Sequence, residues 1–245
     1  KMPEANLRGA RLVDADMSEV TLREADLSGA DMTGVDLTDG FLFSASLRAT
    51  VLEEATLHRT NLYEAVLANA DLKNVDASGA NLRDADLRET DIRGAVLSSA
   101  DLKGAKLTNA DLRRGELIGA DFTRADLSGA SMGQCNLRRA VFQDAMLTHA
   151  DLTDTSLRDA DLTRADLTGA DLSGSSLIGT RLEGATLRDC GAYGVSLWGA
   201  KGTPAVQERL RITPADEALI AVDDLAVALF VQLICESAAV QGVID

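Results

Sequence analysis

The chain reads as an all-β solenoid closed by a C-terminal α-helix. Three observations carry that reading. Residues whose numbers end in 2 or 7, from Met2 to Leu197, make forty positions, and Leu fills 31 of them. A second set of forty positions runs at the same spacing from Ala5 to Ala200, two residues before each Leu position from Leu7 on: Ala fills 26 of them, and Gly, Val, Thr, Ser or Cys the rest. After about Ala200 the five-residue beat stops, and apolar residues return at helical spacing instead.

The sides of the solenoid follow from the pairing. Residues two apart on an extended backbone point the same way, so each Ala and its Leu face inward together. The next Ala comes three residues later, so the chain must turn there. Each unit is one short side and one corner. Fourteen of the 20 glycines fall two residues after the Leu position, Gly29, Gly34, Gly79, Gly94 and Gly169 among them. A corner that needs a positive φ selects glycine at that place. Chains of sides and corners stack, with successive coils hydrogen-bonded about 4.8 Å apart. No residue is inserted or deleted along the way.

The tail begins with KGTPAVQERLRITPADE, a polar connector holding Pro204 and Pro214. VDDLAVALFVQLICESAAV follows, with Asp223 as the candidate N-cap and Asp224 in the first helical turn. Leu225, Leu229, Phe230, Leu233 and Ile234 share one helical face, while Val227 and Val231 lie on another side. A helix apolar on more than one side is buried on more than one side, so the expectation is a cap over the open end. Trp198 and Ile178, twenty residues apart, lie close to that end with Tyr193. Together they read as a docking surface for the tail or for a second subunit.

The tandem motif A[DN]LXX resembles the pentapeptide-repeat family over residues 1–200. The resemblance implies a right-handed quadrilateral β-helix with four repeats per coil. Residues 1–200 would then form about ten coils, a rod roughly 45–50 Å long. Phe122 and Phe142, twenty apart, would stack. The division expected is a repeat domain at 1–200 and a connector with a capping and dimerisation helix at 201–245. The stretch ITPADEALIAVDDLAVALFVQLI also resembles a connector that precedes a Toll/interleukin-receptor-like domain in larger bacterial relatives. Lys1 is no initiator and the chain stops at QGVID, as expected of part of a longer protein.

Composition narrows the functions. The chain is 46% hydrophobic and 26% charged, so it is not disordered by composition. Aromatics are only 3%, so the core is built of Leu and Ala. The formal charge of −15 disfavours direct nucleic-acid binding, which needs clustered bases. Three cysteines make no even disulfide framework, which points to a reducing, cytoplasmic setting. There is no signal-peptide pattern and no apolar run of about 18 residues to span a membrane.

Catalysis needs unlike groups converging on a pocket. His58 and His149 are 91 residues apart, or roughly 20 Å along the rod, and cannot pair. Cys135 and Cys190 occupy inward positions and read as inert buried thiols. The glycines follow corner spacing, with no phosphate-binding context. The one candidate site is an acidic ladder: Asp71, Asp91 and Asp111 one coil apart, then Asp151 and Asp171 further along the same face. Lys73, Arg93 and Arg113 form a matching ladder two residues away, so a charge zipper is expected rather than a metal site.

No enzyme, cofactor or metal is expected. The first reading is an interaction scaffold: a rigid acidic rod, dimeric through its C-terminal helix, presenting its faces or a further domain to protein partners. The second follows from the family resemblance. Some relatives mimic DNA and inhibit or protect DNA gyrase, and the net charge fits that role. Interleaved bases on every face and the absence of projecting loops fit it less well.

Overall fold

The computed structural model describes residues 4–213 and 220–228. The backbone winds with a period of twenty residues. Asn6 bridges Asp26, Arg11 bridges Asp31, Asp16 bridges Asp36 and Thr21 bridges Phe41, all in parallel. The same spacing repeats to the pairing of Gly191 with Arg211. Four bridge positions per twenty residues make four sides. The β character lies in this ladder rather than in long strands, because each side has only one bridged residue before the chain turns.

Each bridged residue bonds both ways. Asp26 N–H donates to Ala5 C=O at 2.9 Å, and Asp26 C=O accepts from Leu7 N–H at 2.7 Å. Each corner closes with an amide three residues on, as Ala10 N–H donates to Leu7 C=O at 3.1 Å. The third corner residue donates to the next coil, as Gly9 N–H does to Ser28 C=O at 3.0 Å. That residue takes a positive φ at all forty corners from Glu4 to Gly199, whether glycine or not: Glu64 has φ 56° and Arg114 has 61°. Glycine is therefore the cheaper occupant, not a required one. A side-chain-bearing residue there costs roughly 1 kcal/mol, and the ladder bond offsets it.

The inward residues form one continuous core. Every Leu-position residue from Leu22 to Ala192 is buried, as are the small residues opposite. Towards the N-terminal end Leu7, Leu12 and Met17 are only partly buried. Phe122 and Phe142 stack at 4.9 Å between centroids with 4° between planes, as their twenty-residue spacing predicted. Polar inward residues reach the carbonyls of the Leu positions. Thr60 Oγ1 donates to Leu37 C=O at 2.8 Å, and Cys135 Sγ to Leu112 C=O at 3.0 Å. Ala77 stands where Leu57 and Leu97 stand one coil either side, and beside it lies an apolar-lined void of about 10 Å3.

The sequence repeat stops at Ala200, but the ladder does not. Lys201 bridges Arg181, strand β1 (Thr186–Arg188) pairs in parallel with β2 (Val206–Glu208), and Arg211 bridges Gly191. The polar connector thus continues the winding, with Leu210 and Ile212 turned inward. The chain then folds back: β3 (Leu210–Arg211) pairs antiparallel with β4 (Ala221–Val222). One helical turn follows at 225–228. Its N-cap is Asp224, not Asp223. Asp224 Oδ1 accepts from Ala226 N–H at 2.7 Å and Val227 N–H at 3.0 Å. Asp223 is already committed to Arg209 N–H at 2.8 Å. Leu225 and Ala228 are buried.

Candidate interaction surface

The bridged position of each repeat is Asp or Asn in about half the units, and its chemistry is local. Its side chain accepts the amide two residues on, inside the corner. Asp36 Oδ1 takes Thr38 N–H at 2.8 Å, and Asp166 takes Thr168 N–H at 2.9 Å with the hydroxyl at 2.6 Å. Asp and Asn are the residues that make this short loop-back bond. Much of the acidity of the rod is therefore corner chemistry repeated.

The expected acidic ladder lies on one face. Asp71, Asp91 and Asp111 bridge in sequence, and the column continues through Ser131, Asp151, Asp171 and Gly191. The bases sit among the acids. Lys73 Nζ is 2.8 Å from Asp71, Arg93 grips Asp91 through two bonds of 2.8 and 2.7 Å, and Arg113 grips Asp111 at 2.9 and 2.6 Å. Arg93 also lies 3.6 Å from Asp111, which ties one coil to the next. Among the described residues Asp171 has only a distant base, Arg211 at 3.8 Å. Each exposed pair contributes about 0–1 kcal/mol, so the zipper relieves stacking repulsion more than it stabilises the fold.

The Arg93 guanidinium beside Asp91, and that of Arg113 beside Asp111, hold both carboxyls below the ordinary value of 3.8. Arg88 does the same to Asp86. A carboxyl lowered in the folded state contributes stability above its unfolded value and loses it as pH falls through the folded one. The melting midpoint should therefore drop as pH falls below the ordinary carboxylate value of 3.8, and Arg93→Gln should lessen that drop. Melts monitored by circular dichroism across that range check it; an unchanged acid slope in Arg93→Gln would exclude the pair as a contributor.

The remaining candidates are scattered. His58 Nε2 lies 2.6 Å from Asp76 Oδ2, while His149 sits at a corner on another face. Burial pushes the Cys135 and Cys190 thiols up to about 12. Among the described residues no group of three or more His, Cys, Asp or Glu is arranged to hold a metal ion. No described helix is long and apolar enough to cross a membrane. At the C-terminal end Trp198 is 86% exposed, Tyr193 is exposed, Ile178 is half-buried and Leu225 is buried. Leu229, Phe230, Leu233 and Ile234 lie outside the described residues.

Sequence reasoning missed one surface feature. Phe43 and Tyr63 stack at 5.9 Å, with the Arg23 guanidinium 5.0 Å from the Phe43 centroid. Phe41, beside them, is half exposed. The twenty-residue spacing of 23, 43 and 63 was the available signal.

A four-sided parallel ladder around a Leu and Ala core defines a β-solenoid protein whose variable chemistry is all on its outer faces. The pentapeptide-repeat family model matches residues 4–39, 42–76, 78–114, 120–159 and 155–190, and the chain belongs to that family, whose fold is the right-handed quadrilateral β-helix. Among solved structures it is similar to HetL, a pentapeptide-repeat protein involved in heterocyst differentiation regulation from the cyanobacterium Nostoc sp. strain PCC 7120. That match has 28% identity and a TM-score of 0.56, and covers 90% of this chain and 93% of HetL. A trypsin-treated QnrB1, a plasmid-mediated fluoroquinolone resistance protein, matches at 16% identity and TM-score 0.43 over 66% of this chain and 89% of its own. A thylakoid-lumen pentapeptide-repeat protein of Arabidopsis thaliana matches at 31% identity and TM-score 0.26 over 44% of this chain and 72% of its own. No curated protein sequence matches.

Proposed function

We propose that this chain is a non-enzymatic interaction scaffold: a rigid acidic rod of about ten coils that acts in the cytoplasm. Residues 201–212 extend the winding, and the helix that begins at 225 caps the C-terminal end and joins two copies. The observation that carries the reading is Trp198, 86% exposed beside half-buried Ile178 at the end where the chain folds back. A large aromatic left in water marks a surface that another element covers. Leu225, Leu229, Phe230, Leu233 and Ile234 supply the apolar helix face, and Trp198, Ile178 and Tyr193 the surface that meets it.

The dimer is tested by light scattering of the full chain at micromolar concentration. The expected mass is twice 25.8 kDa, and Leu229→Asp with Phe230→Asp should return it to 25.8 kDa. Wild-type protein at 25.8 kDa under those conditions would remove the dimer from the proposal.

The net charge of −15 favours one other reading, DNA mimicry at gyrase. A mimic needs carboxylates free to stand in for phosphates, whereas Lys73, Arg93 and Arg113 occupy those of Asp71, Asp91 and Asp111. The scaffold reading expects charge reversal at these three aspartates to leave gyrase supercoiling unchanged relative to wild type. Wild-type inhibition that the reversal abolishes would establish mimicry instead.

A further inference from the structure

The column beside the acidic ladder runs Lys73, Arg93, Arg113, Gly133 and Thr153. Gly133 breaks it. This glycine is not at the third corner position and has no left-handed φ, so the backbone does not ask for it. Beside it lies a notch of about 360 Å3, lined by Arg93, Arg113, Arg114, Gln134, Asp151 and Thr153. A Cβ at 133 would press on the wall of that notch, 3.2 Å from Thr153 Oγ1.

Two opposite charges line that notch with no close ion pair among the described residues. Asp151 spends Oδ1 on Thr153, accepting its N–H at 3.0 Å and its hydroxyl at 2.7 Å. Its Oδ2 faces the gap, 3.3 Å from where a Cβ on Gly133 would sit. Among the described residues Arg114 makes one side-chain bond, Nε to Gln134 Oε1 at 3.3 Å, and no ion pair. Arg93 and Arg113, by contrast, are gripped by Asp91 and Asp111. A ligand of a single sign would meet repulsion on one wall. A protein surface carrying an acid beside a base would satisfy both.

We infer that the Gly133 notch is a contact point for a protein partner that brings a Lys or Arg to Asp151 Oδ2 and a carboxylate to Arg114. The inference rests on the scaffold reading and names the chemistry of what the scaffold holds.

The test uses amide NMR of the full chain titrated with the blocked tripeptide acetyl-Glu-Gly-Lys-amide. Shifts should localise to Arg114, Gly133, Gln134, Asp151 and Thr153 and saturate in the millimolar range, about that of a single desolvated ion-pair contact. Gly133→Lys, whose amine would reach Asp151 as Lys73 reaches Asp71 at 2.8 Å, should weaken them at least about tenfold. Asp151→Asn, a near-isosteric surface change, should do the same with the remaining amide spectrum unmoved. Equal shifts with acetyl-triglycine-amide, or shifts that survive both variants, overturn the inference. So do equal shifts with free glycine, which would make the notch a small-zwitterion site. A silent notch in a protein that still dimerises leaves the scaffold reading standing; loss of the dimer with these shifts intact does the reverse.

Discussion

Leu102→Asp should unfold the middle of the rod. Leu102 is fully buried, in a column with Leu82 one coil before and Phe122 one coil after. A carboxylate there meets only apolar neighbours and backbone already committed to the ladder. The expected loss is more than about 4 kcal/mol. In a chain of this size that lowers the melting midpoint by about 10 °C or more. Coils contact only their neighbours, so the broken coil also uncouples the two halves, and the transition should broaden or split. Thermal melts by circular dichroism read both effects. A midpoint within about 3 °C of wild type would mean that position 102 does not face inward.

Ala77→Leu should act in the opposite direction. The void at Ala77 is apolar and roughly large enough for one water, which it would hold without hydrogen bonds. Leu57 and Leu97 show that the same column accepts leucine in both adjacent coils. Three added carbons bury about 2 kcal/mol of transfer energy, less what neighbouring side chains lose in moving aside. A net gain of about 1–2 kcal/mol, or roughly 3–6 °C in midpoint, is expected. A lower midpoint would show that the coil around 77 has settled to a shape that excludes the larger side chain.

How much of this was legible in the sequence depends on which physical constraint was periodic. The inward set repeats without a break, so sides and corners could be read directly, while four sides per coil, and with them the Phe122–Phe142 stack, followed from the family resemblance. The partners of Asp71, Asp91 and Asp111 were readable for the same reason, since bases two residues along share the face. Features set by one local competition were not. Asp223 and Asp224 are equivalent as letters, and only the Arg209 amide decides which one caps the helical turn. The winding of residues 201–212 left no repeat to find, because backbone pairing needs no particular side chains and Leu210 and Ile212 suffice inside. The corner glycines invited a stricter rule than the molecule obeys. Arg59, Glu64 and His149 all take the left-handed corner, because their amides are bonded to the next coil. The Gly133 notch showed only as a missing base, which has no meaning until Asp151 and Arg114 are seen beside it without an ion pair among the described residues.

The twenty-residue winding also sets how this molecule can change by gain or loss of length. Removing twenty residues deletes one whole turn and leaves every outward column in line. Removing five keeps the Leu and Ala phase intact but rotates everything downstream by a quarter turn. Columns of one face would then continue as columns of the next, and the Arg93–Asp111 link between coils would join different partners. A single five-residue deletion can thus recombine surfaces without altering the core beneath them.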